Sequence, residues 1–170
     1  MRQTLYLLMG LPGAGKTTAA RIIEKLTNAV RLSSDDVRLH LFAKPTFSQA
    51  EHDALYEQLN QRTKQLLLEG KSVIYDANLN RYIHRLEKYK IAKNAGVQVI
   101  LIWTKTPREV ARERRIEAAE HHHLVPRNED PSSMFERIAE LIEPPLADEP
   151  YIALDGTRIT PEYISEILGL

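Results

Sequence analysis

The stretch Gly10-Leu11-Pro12-Gly13-Ala14-Gly15-Lys16-Thr17 constrains this chain more than any other. It follows directly on an apolar run, Leu5 to Leu8, and opens a segment of helical character that extends to Thr27. A glycine-rich turn between a strand and a helix lets the backbone curl until several N–H groups face one anion, and the helix N-terminus adds its partial positive charge. The spacing G-x-x-x-x-G-K-[ST] supplies a lysine for β- and γ-phosphates, here Lys16, and a hydroxyl for Mg²⁺, here Thr17. Gly10, Gly13, Ala14, Gly15 and Thr18 complete the set expected to hold the nucleotide. An accidental turn would match the fixed letters in under roughly 1% of chains this long, and the strand-loop-helix context lowers that further.

A phosphate loop of this kind needs a parallel sheet behind it, and the rest of the chain provides one. Thr4 to Met9, Val30 to Ser33, Val73 to Tyr75, Val97 to Trp103 and Pro150 to Leu154 read as five short buried strands. Helical segments separate them: Gly15 to Thr27, Ser34 to Leu41, Ser48 to Glu69, Arg81 to Asn94, Pro107 to about Glu120, Ser133 to Ile142, and one opened by Thr160-Pro161. Each parallel crossover requires such a helix. The expected fold is a three-layer, doubly wound α/β sandwich on a five-stranded parallel sheet, with residues 1–170 forming one domain and a small lid at about 116–133.

The 23 basic and 23 acidic side chains cancel, so the molecule lacks the positive field of a dedicated nucleic-acid binder, and any such contact must be local. Without cysteine there is no disulfide or thiolate chemistry. The run Leu5 to Leu8 is too short for a signal peptide or a membrane span. A cytoplasmic protein with no membrane association and no obligate protein partner is expected.

Ligands of doubly wound sheets sit beyond the carboxyl ends of the strands, and two polar clusters fall there. In Ser34-Asp35-Asp36-Val37-Arg38 one carboxylate can accept a proton from a hydroxyl, and Arg38 can hold an anion. Helix capping by Ser34 and one aspartate is the plainer alternative, but it leaves Arg38 unexplained. In Asp76-Ala77-Asn78-Leu79-Asn80, the apolar strand before Asp76 has the shape of a Walker B element. Asp76 is suited to the Mg²⁺ water shell or to orienting an acceptor, with Asn78 beside it; ordinary turn formation is the alternative.

In this order and spacing, the phosphate loop, the Ser-Asp-Asp-x-x-Arg element and the Ile-Tyr-Asp-Ala-Asn-Leu-Asn element resemble the P-loop kinases that include phage polynucleotide kinase and the zeta toxins. The resemblance covers roughly the whole chain, with its sharp motifs in the first half. It implies a P-loop NTPase fold in which Asp35 is the general base toward the acceptor hydroxyl, Arg38 contacts an acceptor phosphate and Asp76 orients acceptor-side groups. It also implies a lid arginine over the β,γ-phosphates, for which Arg112 and Arg115 are the candidates. Arg108 and Arg114 are then left as solvated partners of Glu109 and Glu113. Gly156, in the turn after the fifth strand, stands where such kinases wrap the adenine. No Asn-Lys-x-Asp guanine signature occurs, which favours ATP.

Three further features carry less. Adjacent side chains such as His121, His122 and His123 rarely converge on one ion, so that segment reads as a polar lid rather than a metal site. His40, His52 and His84 read as surface or boundary residues. Arg81, Arg85, Lys88, Lys90 and Lys93 make one helix basic, either as a solvated face or as a guide for a polyanion. The resulting expectation is transfer of the γ-phosphoryl group of Mg-ATP to a hydroxyl. A 5′-hydroxyl polynucleotide end and a small metabolite compete as acceptor, and an ATPase switch or a non-catalytic nucleotide-binding module are the rivals of another class.

Overall fold

A computed structural model describes residues 2–121 and 130–170. Five strands, β1 (Thr4–Met9), β2 (Val30–Ser33), β3 (Val73–Asp76), β4 (Gln98–Lys105) and β5 (Ile152–Asp155), form one sheet in the order β2-β3-β1-β4-β5, with every pairing parallel. Its helices are α1 (Lys16–Thr27), α2 (Ser34–Leu41), α3 (Gln49–Leu68), α4 (Tyr82–Ala95), α5 (Arg108–His121), α6 (Pro131–Glu140) and α7 (Pro161–Leu168). No described helix is long and apolar enough to cross a membrane.

The two-residue period of a strand divides the core. Leu5, Leu7 and Met9 of β1 join Leu55, Leu59 and Leu66 of α3 and Ile91 of α4, whereas Tyr6 and Leu8 join Ala19 and Ile23 of α1 and Ile164 of α7. Helices therefore cover both faces, which is why β1 is buried at every position and apolar at all but Thr4. β4 runs two residues beyond the expected end at Trp103, because Thr104 and Lys105 pair with Leu154 and Asp155 of the edge strand β5. Of the expected lid, residues 122–129, with His122 and His123, lie outside the described residues.

The basic helix corrects its sequence reading at two positions. Arg85 and Lys88 are both fully buried, neither solvated nor turned toward a polyanion. Arg85 donates to Glu149 through Nε (2.7 Å) and Nη2 (3.0 Å), and its Nη1 donates to the carbonyls of Leu79 and Asn80. Tyr89 donates to the same carboxylate, which also accepts from Leu146 N–H. Lys88 Nζ lies 4.9 Å from the Tyr75 ring centroid and pairs with Glu87. Buried charges persist only when paired in this way. Arg85→Ala strands Glu149 and is expected to lower stability by about 3–5 kcal/mol, whereas Lys71→Ala, at the exposed Lys71–Glu69 pair, costs within about 1 kcal/mol; urea unfolding midpoints check both.

Candidate active site

Gly13 and Gly15 of the phosphate loop adopt conformations that other residues rarely take. Gly13 sits at φ +76°, and a Cβ there would come within 2.1 Å of the Ala111 carbonyl of α5. Gly15 sits at φ +100° as the N-cap of α1, with no side-chain cap and no acidic residue in the first turn. By contrast α2, α3, α6 and α7 are capped by Ser33, Ser48, Asp130 and Thr160. The amino end of α1 thus keeps its N–H groups and positive dipole for an external anion. Lys16 Nζ folds back onto the carbonyls of Gly10 (2.9 Å) and Leu11 (2.8 Å).

The sheet order brings the polar strand ends to this loop. Asp76 ends β3, next to β1, and Ser33 of β2 pairs in register with it. Thr17 donates through Oγ1 to Asp76 Oδ1 at 3.3 Å, and Arg31 Nη1 donates to Asp76 Oδ2 at 2.7 Å. The sequence reading missed Arg31: an arginine on a four-residue strand carries no signal until the partner strand's carboxylate is known. The threonine hydroxyl and the unclamped carboxylate oxygen are hard donors of the kind Mg²⁺ prefers.

The aspartate pair separates into two roles. The capping residue is Ser33 rather than Ser34, its hydroxyl accepting from Asp36 N–H, and both carboxylates stand in the first turn of the helix. Asp36 is exposed and pairs with Arg31 at 3.0 Å. Asp35, exposed on the same turn, acts electrostatically on Lys16 of the phosphate loop. Desolvation of its carboxylate raises its pKa, and neighbouring Asp76 and Asp36 push it further up, against Arg115 and Arg38. Lys16 is held down to about 8, chiefly because its ammonium is desolvated; Arg115 adds to that fall while Asp76 and Asp35 oppose it. Lys16, Asp35, Asp76 and Arg115 therefore share one electrostatic neighbourhood.

Arg38 is 8% exposed, with its guanidinium 4.8 Å from the Phe47 ring centroid. Its Nη1 finds no hydrogen-bond partner among the described residues, Glu51 Oε2 lying 3.8 Å away. Asn78 is exposed, and its Oδ1 accepts from Asn80 N–H to shape the turn. The residue that reaches the phosphate loop is Asn80, 3% exposed, whose Oδ1 accepts from Gly10 N–H at 3.0 Å. Sequence reasoning overlooked it, although its place four residues after Asp76 on the same turn was visible.

The arginines of α5 diverge. Arg108 and Arg112 turn to α6, where Arg108 pairs with Glu136, and Arg112 meets Ser132 and lies 3.5 Å from Glu136. Arg114 donates to the Gly156 carbonyl at 2.8 Å. The expected pairing of Arg108 and Arg114 with Glu109 and Glu113 is thus replaced by contacts to neighbouring elements. Arg115 alone of the four acts electrostatically on both Lys16 and Asp35. Gly156 is buried behind the loop, where a Cβ would meet Thr106 Oγ1 at 1.9 Å and the Ala14 carbonyl at 2.3 Å. Thr18 is exposed on the first turn of α1.

The family described as AAA domain matches residues 5–145. The rat 2′,3′-cyclic-nucleotide 3′-phosphodiesterase is 30% identical over 106 residues, 61% of this chain, which spans only 24% of that protein. A solved structure from Chloroflexus aurantiacus superposes with a TM-score of 0.80 at 19% identity, covering 99% of this chain and 98% of the other. Chaetomium thermophilum Kti12 in complex with ADP-AlF3 gives 0.74 at 22% identity over 97% and 95%. The Pnkp1/Rnl/Hen1 RNA repair complex gives 0.69 at 22% over 82% and 44%. The shared architecture is the P-loop kinase fold.

Proposed function

From a chain that belongs to the AAA domain family of P-loop kinase fold, we propose an ATP-dependent phosphotransferase that phosphorylates a hydroxyl on a phosphate-bearing acceptor, a 5′-hydroxyl polynucleotide end. The observation that supports this reading is the division of the aspartate pair in the first turn of α2: Asp36 is taken by Arg31, while Asp35 has Lys16 and Asp76 as electrostatic neighbours. A module that only binds nucleotide has no use for such a base, and an ATPase switch has no use for Arg38.

In this mechanism the acceptor oxygen attacks the γ-phosphorus in line, its proton passes to the Asp35 carboxylate, and the bond to the β-phosphate oxygen breaks to release ADP. Lys16 and the amino end of α1 hold the phosphates, and Arg115 stabilises the charge that develops on them. Thr17 and Asp76 would hold Mg²⁺, which supplies charge neutralisation when bound. Asp76 is kept in place by Arg31. The buried Nη1 of Arg38 supports an anionic acceptor, because an unmet guanidinium N–H is costly unless a ligand oxygen completes it.

The test is transfer of labelled γ-phosphate to a panel of 5′-hydroxyl DNA and RNA oligonucleotides, nucleosides and amino sugars. Label on oligonucleotide ends, lost on Arg38→Ala, is expected. Label confined to amino sugars, or hydrolysis alone, overturns the acceptor assignment. Asn80→Ala leaves the Gly10 N–H without its acceptor and is expected to weaken nucleotide binding about five- to tenfold, read by titration with a fluorescent ATP analogue.

A further inference from the structure

A cavity of about 590 Å³ lies between α3, from Gln49 to Lys64, and the start of α4, a volume in the range of small-molecule sites. None of the roles assigned above uses it. It passes near the acceptor arginine: Arg38 Nη1 lies 3.8 Å from Oε2 of Glu51, which stands between the lining residues Gln49 and His52.

Its walls carry three rings in sequence. His52 and Tyr56 have centroids 4.5 Å apart at 43°, and Tyr56 and His84 lie 6.2 Å apart, edge to face. Both imidazoles are held toward the neutral form, first by burial and then by cations, Arg38 beside His52 and Arg81 and Lys88 beside His84; Asp53 and Glu87 oppose this only in part. His52 and His84, half-buried as boundary residues, thus flank a tyrosine in a shared wall.

The charge of the groove narrows what fits. Asp53, Glu57 and Glu87 outnumber Lys64 and Arg81 along it, so a run of phosphates is disfavoured, and the strong anion point nearby is Arg38, beside Glu51. A ligand that suits both carries one phosphate and a neutral, planar, hydrogen-bonding body. We propose that the α3–α4 groove is a nucleobase subsite, in which the base next to the phosphate on Arg38 packs against the His52–Tyr56–His84 wall. The subsite deepens the function proposed above and rests on its assignment of the acceptor side. It makes the protein a reader of one terminal nucleotide rather than of an extended strand.

Calorimetric titration of the full chain with adenosine 3′-monophosphate and with ribose 5-phosphate tests this without relying on catalysis. The nucleotide is expected to bind at least about tenfold more tightly, the size of one base stacked on an aromatic side chain. Tyr56→Ala and His84→Ala should each erase most of that ratio while leaving binding of the fluorescent ATP analogue unchanged, and Tyr56→Phe should retain it. Equal binding of the two ligands by the unaltered protein, or a ratio untouched by both alanine variants, overturns the subsite. His84→Ala keeps the test open if Tyr56→Ala does not fold. Base-dependent binding without phosphoryl transfer supports the groove and defeats the catalytic reading; transfer to oligonucleotides without base dependence does the reverse.

Discussion

Asparagine at position 35 lowers kcat by about two to four orders of magnitude and leaves ATP affinity close to that of the unaltered protein. The substitution keeps the size of the side chain and removes only the ability to take a proton. Asp35 lies in the first turn of α2 and is not one of the loop residues assigned to hold the nucleotide, so the loss should fall on the chemical step rather than on KM for ATP. The pH profile gives an independent readout. The folded protein raises this carboxyl above the usual aspartate value of 3.8 through burial and the nearby Asp76 and Asp36. The base form is the active one, so kcat/KM should rise with pH through a limb lying above 3.8, and that limb should disappear in Asp35→Asn. A variant that retains full transfer would remove Asp35 from the mechanism.

Lys16→Ala is expected to reduce transfer by about a hundred- to a thousandfold, the scale for losing one preorganised charge at a developing anion, and to weaken ATP binding as well. Its pKa of about 8 adds a direction with pH. Bound phosphate favours the ammonium, so ATP affinity should fall as pH rises above about 8 and the folded cradle loses the proton. The linkage to stability has the opposite sign: between about 8 and the ordinary 10.5 the unfolded chain binds more protons at this site, so stability rises with pH there. Nucleotide titrations and urea midpoints across pH 7 to 10 measure the two trends, and both should vanish in Lys16→Ala.

Local patterns made the order of strands and helices legible, and Gly10 to Thr17 could be assigned from spacing because loop and helix are contiguous in sequence. The division of labour between Asp35 and Asp36 could not. It depends on Arg31, which reaches both Asp36 and Asp76 only because β2 and β3 lie side by side. Arg85 and Lys88 looked solvent-facing for the same reason: Glu149, which neutralises Arg85, comes from 64 residues away. Asn80 was hidden by Asn78, two positions earlier and equally polar, since nothing local tells which amide turns inward. The arginines of α5 were separable only after α6 packed against that helix and withdrew Arg108 and Arg112.

The hydrogen bond from Gly10 to Asn80 also has a consequence in time. The Asn80 carbonyl accepts from Arg85 and from Glu143 N–H, and Arg85 is in turn neutralised by Glu149. A chain emerging from the ribosome has spelled out the phosphate-binding motif once Thr17 is made, yet the bracing behind that motif closes only with the arrival of the 143–149 segment. Until then the nascent protein has the letters of a nucleotide site without the rigidity of one, and ATP can stabilise only a chain that already holds that segment.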